Sequence, residues 1–248
     1  HTHLIRYSIA GTDDLAGVRK KLGINPVRHV LPITADILHS IYHHLDFSNS
    51  MHVVLWAAFL VAFFGFLRKS NVVPQSAFTF DPRRHLSRNS FIFHKDTVVI
   101  TLPWAKNNQF GERCLQIPLA AIPGSILCPV TAITNMFTRV RAPPSAPAFI
   151  FPKQNSWLTL THTSFINLLR YFLNKAGFPS SHYTGHSFRK GGCVLAMTCK
   201  IPLPLIKFHG DWHSQAFERY LALPLVVRRR VTADMGQHLL TNDQNFQS

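Results

Sequence analysis

Residues 184–192 read TGHSFRKGG and residues 206–220 read IKFHGDWHSQAFERY. Together they set a His, an Arg, a Trp and a Tyr in one order along the chain. His186 and Arg189 are three apart, so on a helix they share a face and can reach one target together. Gly191 and Gly192 weaken an isolated helix but let another backbone, or a nucleic acid, approach closely. Gly210, Asp211 and Trp212 read as a turn. SQAFERYL beyond it has helical spacing, with Ala216, Phe217 and Tyr220 on one side. A bare HxxR carries little weight in a chain with 15 His. HxxR, then GDW, then a Tyr eight residues past the Trp is a far narrower pattern.

That pattern resembles the catalytic core of the tyrosine recombinases, the phage-integrase type of site-specific DNA recombinase. GHSFRKGG and GDWHSQAFERYL are most similar to the eukaryotic mobile-element branch, the DIRS-type and Crypton-type elements. The resemblance implies a catalytic set of two Arg, a Lys, a His, a His or Trp, and a Tyr nucleophile. It also implies a mainly α fold with a small antiparallel β-sheet, the α+β core of a DNA breaking-rejoining enzyme. The remaining members of the set should then lie upstream.

MHVVLWAAFLVAFFGFL, residues 51–67, is the most apolar run. A membrane span needs about 20 such residues. This run ends in Arg68 and Lys69 with His52 near its start, so it reads as a buried central helix. It delivers Arg68 in GFLRKSNVV, a setting similar to that of the family's first catalytic Arg. The family usually has an acid where this chain has Asn71. An acid there orients the Arg, and Asn replaces it only in part, as a neutral acceptor. Within residues 78–118, SFIFH, TVVITL and RCLQIPL read as a small antiparallel sheet. Between the last two lies PWAKNNQFGE, with the turn formers Asn107, Asn108 and Gly111. Lys106 occupies this hairpin, where the family carries its catalytic Lys, and Lys95 is the lesser alternative.

The other elements are read from local signals. DDLAGVRKKLG within residues 1–26 is a short basic helix ending at Gly23. It resembles the last helix of the small DNA-clamping domain that precedes the catalytic one in the family, so residues 1–26 are expected to be its remnant and 27–248 the catalytic domain. An ordinary first helix is the competing reading. From Leu31, LPITADILHSIYHHL sets Ile37, Leu38, Ile41 and Leu45 at helical spacing with Thr34 placed to cap. His43 and His44 in it are read as surface or rim residues. CPVTAITNMFTRV begins a helix at Pro129, APPSAPA at 142–148 is a loop, and a further helix covers about 162–176. The last helix, PLVVRRRVTADMGQHLL, aligns Val227, Val231, Met235 and Leu239 beside Arg228, Arg229 and Arg230. In the family the segment after the Tyr packs on a neighbouring protomer, so residues 224–240 are expected either to do that or to pack on their own domain.

Lys and Arg total 26 against 11 Asp and Glu, a net charge of +15 in 248 residues. That imbalance points to a polyanionic partner, nucleic acid before membrane. A hydrophobic content of 46% places the charge on a folded domain and not on a disordered tail. Cys114, Cys128, Cys193 and Cys199 form no CxxC pair and read as reduced thiols of an intracellular protein, not as a zinc site. The chain opens on His1 without an initiator Met, which allows a fragment, and shows no secretory signal; the expected location is nuclear if eukaryotic and otherwise intracellular.

These residue types suit phosphodiester chemistry. Two guanidinium forks, Arg68 and Arg189, neutralise the non-bridging oxygens and the charge of a five-coordinate transition state. Tyr220 attacks phosphorus, and with an ordinary pKa near 10 its hydroxyl needs a base, for which His186 is the candidate. Lys106 protonates the leaving 5′ oxygen. Trp212 offers only its indole N–H, to hold a phosphate oxygen or buttress the Tyr helix. His209 and His213, flanking GDW, are secondary candidates for a phosphate contact. The expected product is a 3′-phosphotyrosyl linkage, which keeps the bond energy and needs no cofactor, metal or nucleotide.

The expected partners are double-stranded DNA and further copies of the chain on it, with no membrane and no small-molecule substrate. An active recombinase from a mobile element is the leading reading. A domesticated DNA-binding protein that has lost turnover is the alternative, and a type IB topoisomerase a third.

Overall fold

The computed structural model describes residues 30–102, 115–210 and 225–243. The first helix, α1 (Ala35–Tyr42), starts where Thr34 accepts the Ile37 N–H at 3.3 Å and buries Ile37, Leu38 and Ile41. It stops at Tyr42, so His43 is its C-cap and His44 lies beyond it, both exposed. The expectation that both histidines sit within the helix is corrected by that residue or two; their place on the surface stands.

The central element is α2 (Ser50–Phe64), capped by the Asn49 side chain on the Met51 N–H at 2.9 Å. Every residue from Val53 to Phe64 is buried. A helix apolar on all sides has no solvent face and is stable only when other elements surround it. Here the later helices α4 (Pro129–Arg139) and α6 (Ser187–Thr198) and the strand β4 (Ile150–Lys153) pack against it. Among the described residues no helix is long and apolar enough to cross a membrane.

A three-stranded antiparallel sheet follows, β1 (Phe91–Phe93), β2 (Thr97–Leu102) and β3 (Leu115–Ala120), in that order. β2 and β3 pair from Thr97↔Ala120 to Leu102↔Leu115, which buries Val98, Ile100, Ile117 and Leu119. The sheet is the antiparallel one expected from SFIFH, TVVITL and RCLQIPL; Lys106 falls in 103–114, outside the described residues. A second hairpin, β4 with β5 (Ser156–Thr159), turns through Gln154 at φ +52°. The sequence reading leaves this hairpin out.

α4 starts at Pro129, with the Cys128 Sγ accepting the Thr131 N–H at 3.4 Å. Helix α5 (His162–Lys175) opens on a Thr161–Ser164 capping box and buries Phe165, Leu169, Phe172 and Leu173. α6 is followed by α7 (Leu203–His209) and by α8 (Leu225–Asp243). α6 lies so close to its neighbours that a Cβ on Gly191 would sit 1.7 Å from Ile33 O, and one on Gly192 2.1 Å from Phe63 O. Of the two approaches read from this glycine pair, a protein backbone is the one seen. Ala in a helix is worth about 1 kcal/mol over Gly, yet backbone oxygens cannot step aside cheaply. Gly192→Ala is therefore expected to destabilise the fold by about 2 kcal/mol or more, seen as a Tm several degrees lower. A variant melting at or above wild type would contradict this packing.

α8 decides between two expectations. Val231, Met235 and Leu239 are 1%, 0% and 2% exposed, on the chain's own β3 and α7 side. Thr232 Oγ1 accepts the Ala120 N–H at 2.8 Å, and Arg229 bonds Thr97 Oγ1 at 2.7 Å and Asp96 at 2.6 Å. The apolar stripe thus covers the edge of its own sheet, where backbone groups and apolar surface both need a partner. It is not left over for a neighbouring protomer.

Candidate active site

The site is built where α2 ends. Leu67 donates its N–H to Ala62 O at 3.0 Å and Phe66 to Phe63 O at 3.3 Å, with Phe66 at φ +51°. This is the Schellman arrangement, with Phe in the left-handed position that usually takes Gly. For an L-residue that conformation costs about 1–2 kcal/mol, so something must hold it. The Phe66 ring is fully buried, edge-on to His209 at 4.8 Å, and Arg189 Nη1 donates to Phe66 O at 2.7 Å. His209 Nε2 lies 2.7 Å from Phe64 O. Side chains from α6 and α7 therefore fasten the turn, and the turn throws Arg68 out at the start of α3 (Lys69–Val72), half-buried.

Arg189 anchors this turn. It is 8% exposed, on the buried side of α6, and its grip on Phe66 O holds the backbone two residues before Arg68. His186 is the N-cap of α6 and exposed, with Lys190 N–H on its carbonyl at 3.0 Å, so the three-residue offset to Arg189 is helical as expected. Its imidazole titrates below the ordinary value of 6.5. Partial desolvation of the ring is the main cause, followed by the charges of Arg68, Arg189 and Lys69. Arg68, His186 and Arg189, far apart in sequence, thus converge on one cationic cluster around a neutral imidazole.

Lys69 is a member the sequence reading missed. Its stem runs over Gly185, where a Cβ would lie 2.7 Å from Lys69 Cδ. Its charge also lowers His162 at the start of α5, after burial, which is the larger cause. The only hint in the sequence was its place beside Arg68. Asn71 donates its backbone N–H to Arg68 O at 2.8 Å. Among the described residues its side chain accepts no hydrogen bond from the Arg68 guanidinium.

Two expectations change or stay open. His209 is fully buried on the Phe64 carbonyl, so it braces the turn and does not reach a phosphate. Its imidazole is long enough to cap a carbonyl from inside the core. Lys106, Trp212, His213 and Tyr220 lie outside the described residues. Among the other tyrosines that are described, Tyr42 packs on Phe47 and Trp56, and Tyr171 lies under Lys175. Tyr183 is buried, and burial pushes its hydroxyl up from 10, which makes it a poor nucleophile. Among the described residues there is no group of three or more His, Cys, Asp or Glu placed to hold a metal ion.

No protein-family model matches the chain, and no curated protein matches it in sequence. Solved structures do match. The XerH site-specific recombinase bound to its difH substrate, in a pre-cleavage complex, superposes with a TM-score of 0.53 at 12% identity over 81% of this chain and 52% of that one. A post-cleavage complex of XerH with a palindromic difH substrate gives 0.51 at 12% identity, over 91% and 57%. A Flpe mutant in a DNA Holliday junction complex gives 0.50 at 12% identity, over 84% and 49%. The chain spans about half the length of these structures. XerH and Flp are tyrosine recombinases, and this chain, helices around a small antiparallel sheet, has the fold of the tyrosine recombinase catalytic domain.

Proposed function

We propose that this chain is the catalytic domain of a site-specific DNA recombinase that cleaves and rejoins DNA through a 3′-phosphotyrosyl intermediate. The observation that carries the reading is the convergence of Arg68, His186 and Arg189 at the end of α2, on a fold shared with tyrosine recombinases. Arg68 and Arg189 would hold the non-bridging oxygens of the scissile phosphate. His186, neutral at pH 7, is suited to take the proton of the Tyr220 hydroxyl. Lys106 is assigned as the acid for the leaving 5′ oxygen and Trp212 as a phosphate or Tyr-helix support, both on the resemblance of their motifs. The motifs around them support a DIRS-type or Crypton-type origin, residues 27–248 as the catalytic domain, assembly of several copies on DNA, and a nuclear location if eukaryotic.

A nicked duplex that lets the freed strand diffuse away tests this reading. Incubation should give a covalent protein–DNA species on denaturing gels, unaffected by EDTA. Its absence with every substrate would favour a domesticated DNA-binding protein, a reading supported by Asn71, which lacks the charge to orient Arg68.

The assignment of His186 as base carries its own pH signature. Its lowered pKa means the neutral, proton-accepting form persists below pH 6.5 and is lost only as pH falls further. Removing a positive neighbour stabilises the imidazolium and raises that pKa. Lys69→Met is therefore expected to move the acid limb of the cleavage-rate profile to higher pH. An acid limb that stays in place would release His186 from the role of base, or Lys69 from its neighbourhood.

A further inference from the structure

Phe78 is 101% exposed, more than any other large apolar residue described. A Phe ring standing wholly in water is unfavourable by about 2 kcal/mol relative to a buried one, and on a loose loop it would simply collapse onto the surface. Here the loop is braced. The Ser76 N–H donates to Thr79 Oγ1 at 3.0 Å and the Thr79 N–H to Ser76 O at 3.2 Å, on either side of Phe78. Behind it Phe80 stacks on His85 at 6.0 Å, and the Asp81 N–H donates to His85 Nδ1 at 3.0 Å. The ring is held out by its own turn.

The loop follows α3, whose Lys69 belongs to the cluster described above. It leaves the chain at Pro74, whose carbonyl accepts the His162 N–H at 2.9 Å. His85 in the loop and Lys69 in α3 both act on His162, and Lys69 acts in turn on His186. Over residues 69–85 the only acid is Asp81, against Lys69, Arg83 and Arg84. Asp81 is engaged by Arg83 at 3.1 Å, and Arg84 is exposed. An aromatic ring presented among cations fits a nucleic acid better than a protein partner, because the backbone meets the charge and a base meets the ring. In paired DNA the base faces are covered by stacking. Only an opened step or an unpaired base offers a face to a side chain.

We propose that Phe78 stacks on an unpaired base of the DNA that Arg68 and Arg189 hold, and so makes this chain selective for locally opened DNA. This rests on the function proposed above, since exchange of a cleaved strand requires bases beside the break to leave their partners.

The test is equilibrium binding of the full 248-residue chain to two labelled DNAs that differ only by a short mismatched bubble. Wild type should prefer the bubble by about tenfold, the size of one base–aromatic stack. Phe78→Ala should lose that preference, keep the affinity for paired duplex and melt as wild type does, since an exposed ring contributes nothing to the core. Phe78→Trp should keep the preference. Retention of the preference by Phe78→Ala would overturn the proposal, as would a wild type that binds both DNAs equally, and in either case the recombinase reading would stand. A wild type that binds neither DNA at low salt would overturn both.

Discussion

Tyr220→Phe is expected to abolish the covalent protein–DNA species while leaving DNA affinity within about twofold of wild type. The substitution removes one oxygen and nothing else. Affinity for a polyanion comes from its phosphate contacts, which on this chain's +15 charge are spread over many Lys and Arg. A phenyl ring has nearly the shape of the Tyr side chain but no atom that can attack phosphorus, so the loss falls on the bond-making step alone. Of the described tyrosines, Tyr42 is in an aromatic cluster, Tyr183 is buried, and Tyr171 lies beneath Lys175. Denaturing electrophoresis after incubation with the nicked duplex reads the linkage, and anisotropy reads the affinity. Linkage that survives Tyr220→Phe would move the nucleophile to another residue.

Arg189→Lys should lower cleavage by about 10²–10³-fold, the usual cost of losing one transition-state donor, with only a few-fold loss of DNA affinity. Charge is preserved, but the fork is not. Arg189 spends Nη1 on Phe66 O, and a guanidinium has other N–H groups with which to meet a phosphate at the same time. A Lys ammonium gathers its three donors on one nitrogen and lacks the span of the fork, so it serves one of the two partners well at a time. If it turns to the phosphate, the left-handed Phe66 turn loses its anchor and Arg68 moves with it. If it stays on Phe66 O, the phosphate loses a ligand. Either way the phosphate loses one of its two arginine contacts. Thermal melting should show a loss of about 1–3 kcal/mol from the weakened buried contact. Equal losses of binding and cleavage would instead make Arg189 an ordinary phosphate contact, engaged before the transition state as strongly as in it.

The elements that were legible in the sequence are those whose signal is local. Thr34, Pro129 and the run from Val53 to Phe64 announce helices because capping, a preset φ and all-round apolarity act within a few residues. The strands β2 and β3 were legible as short runs rich in β-branched and apolar residues, though not their register. The His186–Arg189 pair was legible for the same reason, as a helical offset. The β4–β5 hairpin was not, since its four-residue strands are mostly exposed and present no clear alternation.

What the sequence determined unaided is the inventory: a basic chain, an α+β pattern, and Arg68, Lys106, His186, Arg189, Trp212 and Tyr220 in one order. What only the tertiary structure decided is how side chains are shared between distant segments. Arg189 and His209 hold the carbonyls of Phe66 and Phe64 across more than a hundred residues of chain. Lys69 lies over Gly185, and the α8 stripe closes on its own sheet. None of these has a sequence period, because a carbonyl at a helix end accepts from whichever donor the packing brings within about 3 Å. An apolar stripe likewise covers whichever surface lies nearest, and which one that is depends on where the chain has already folded.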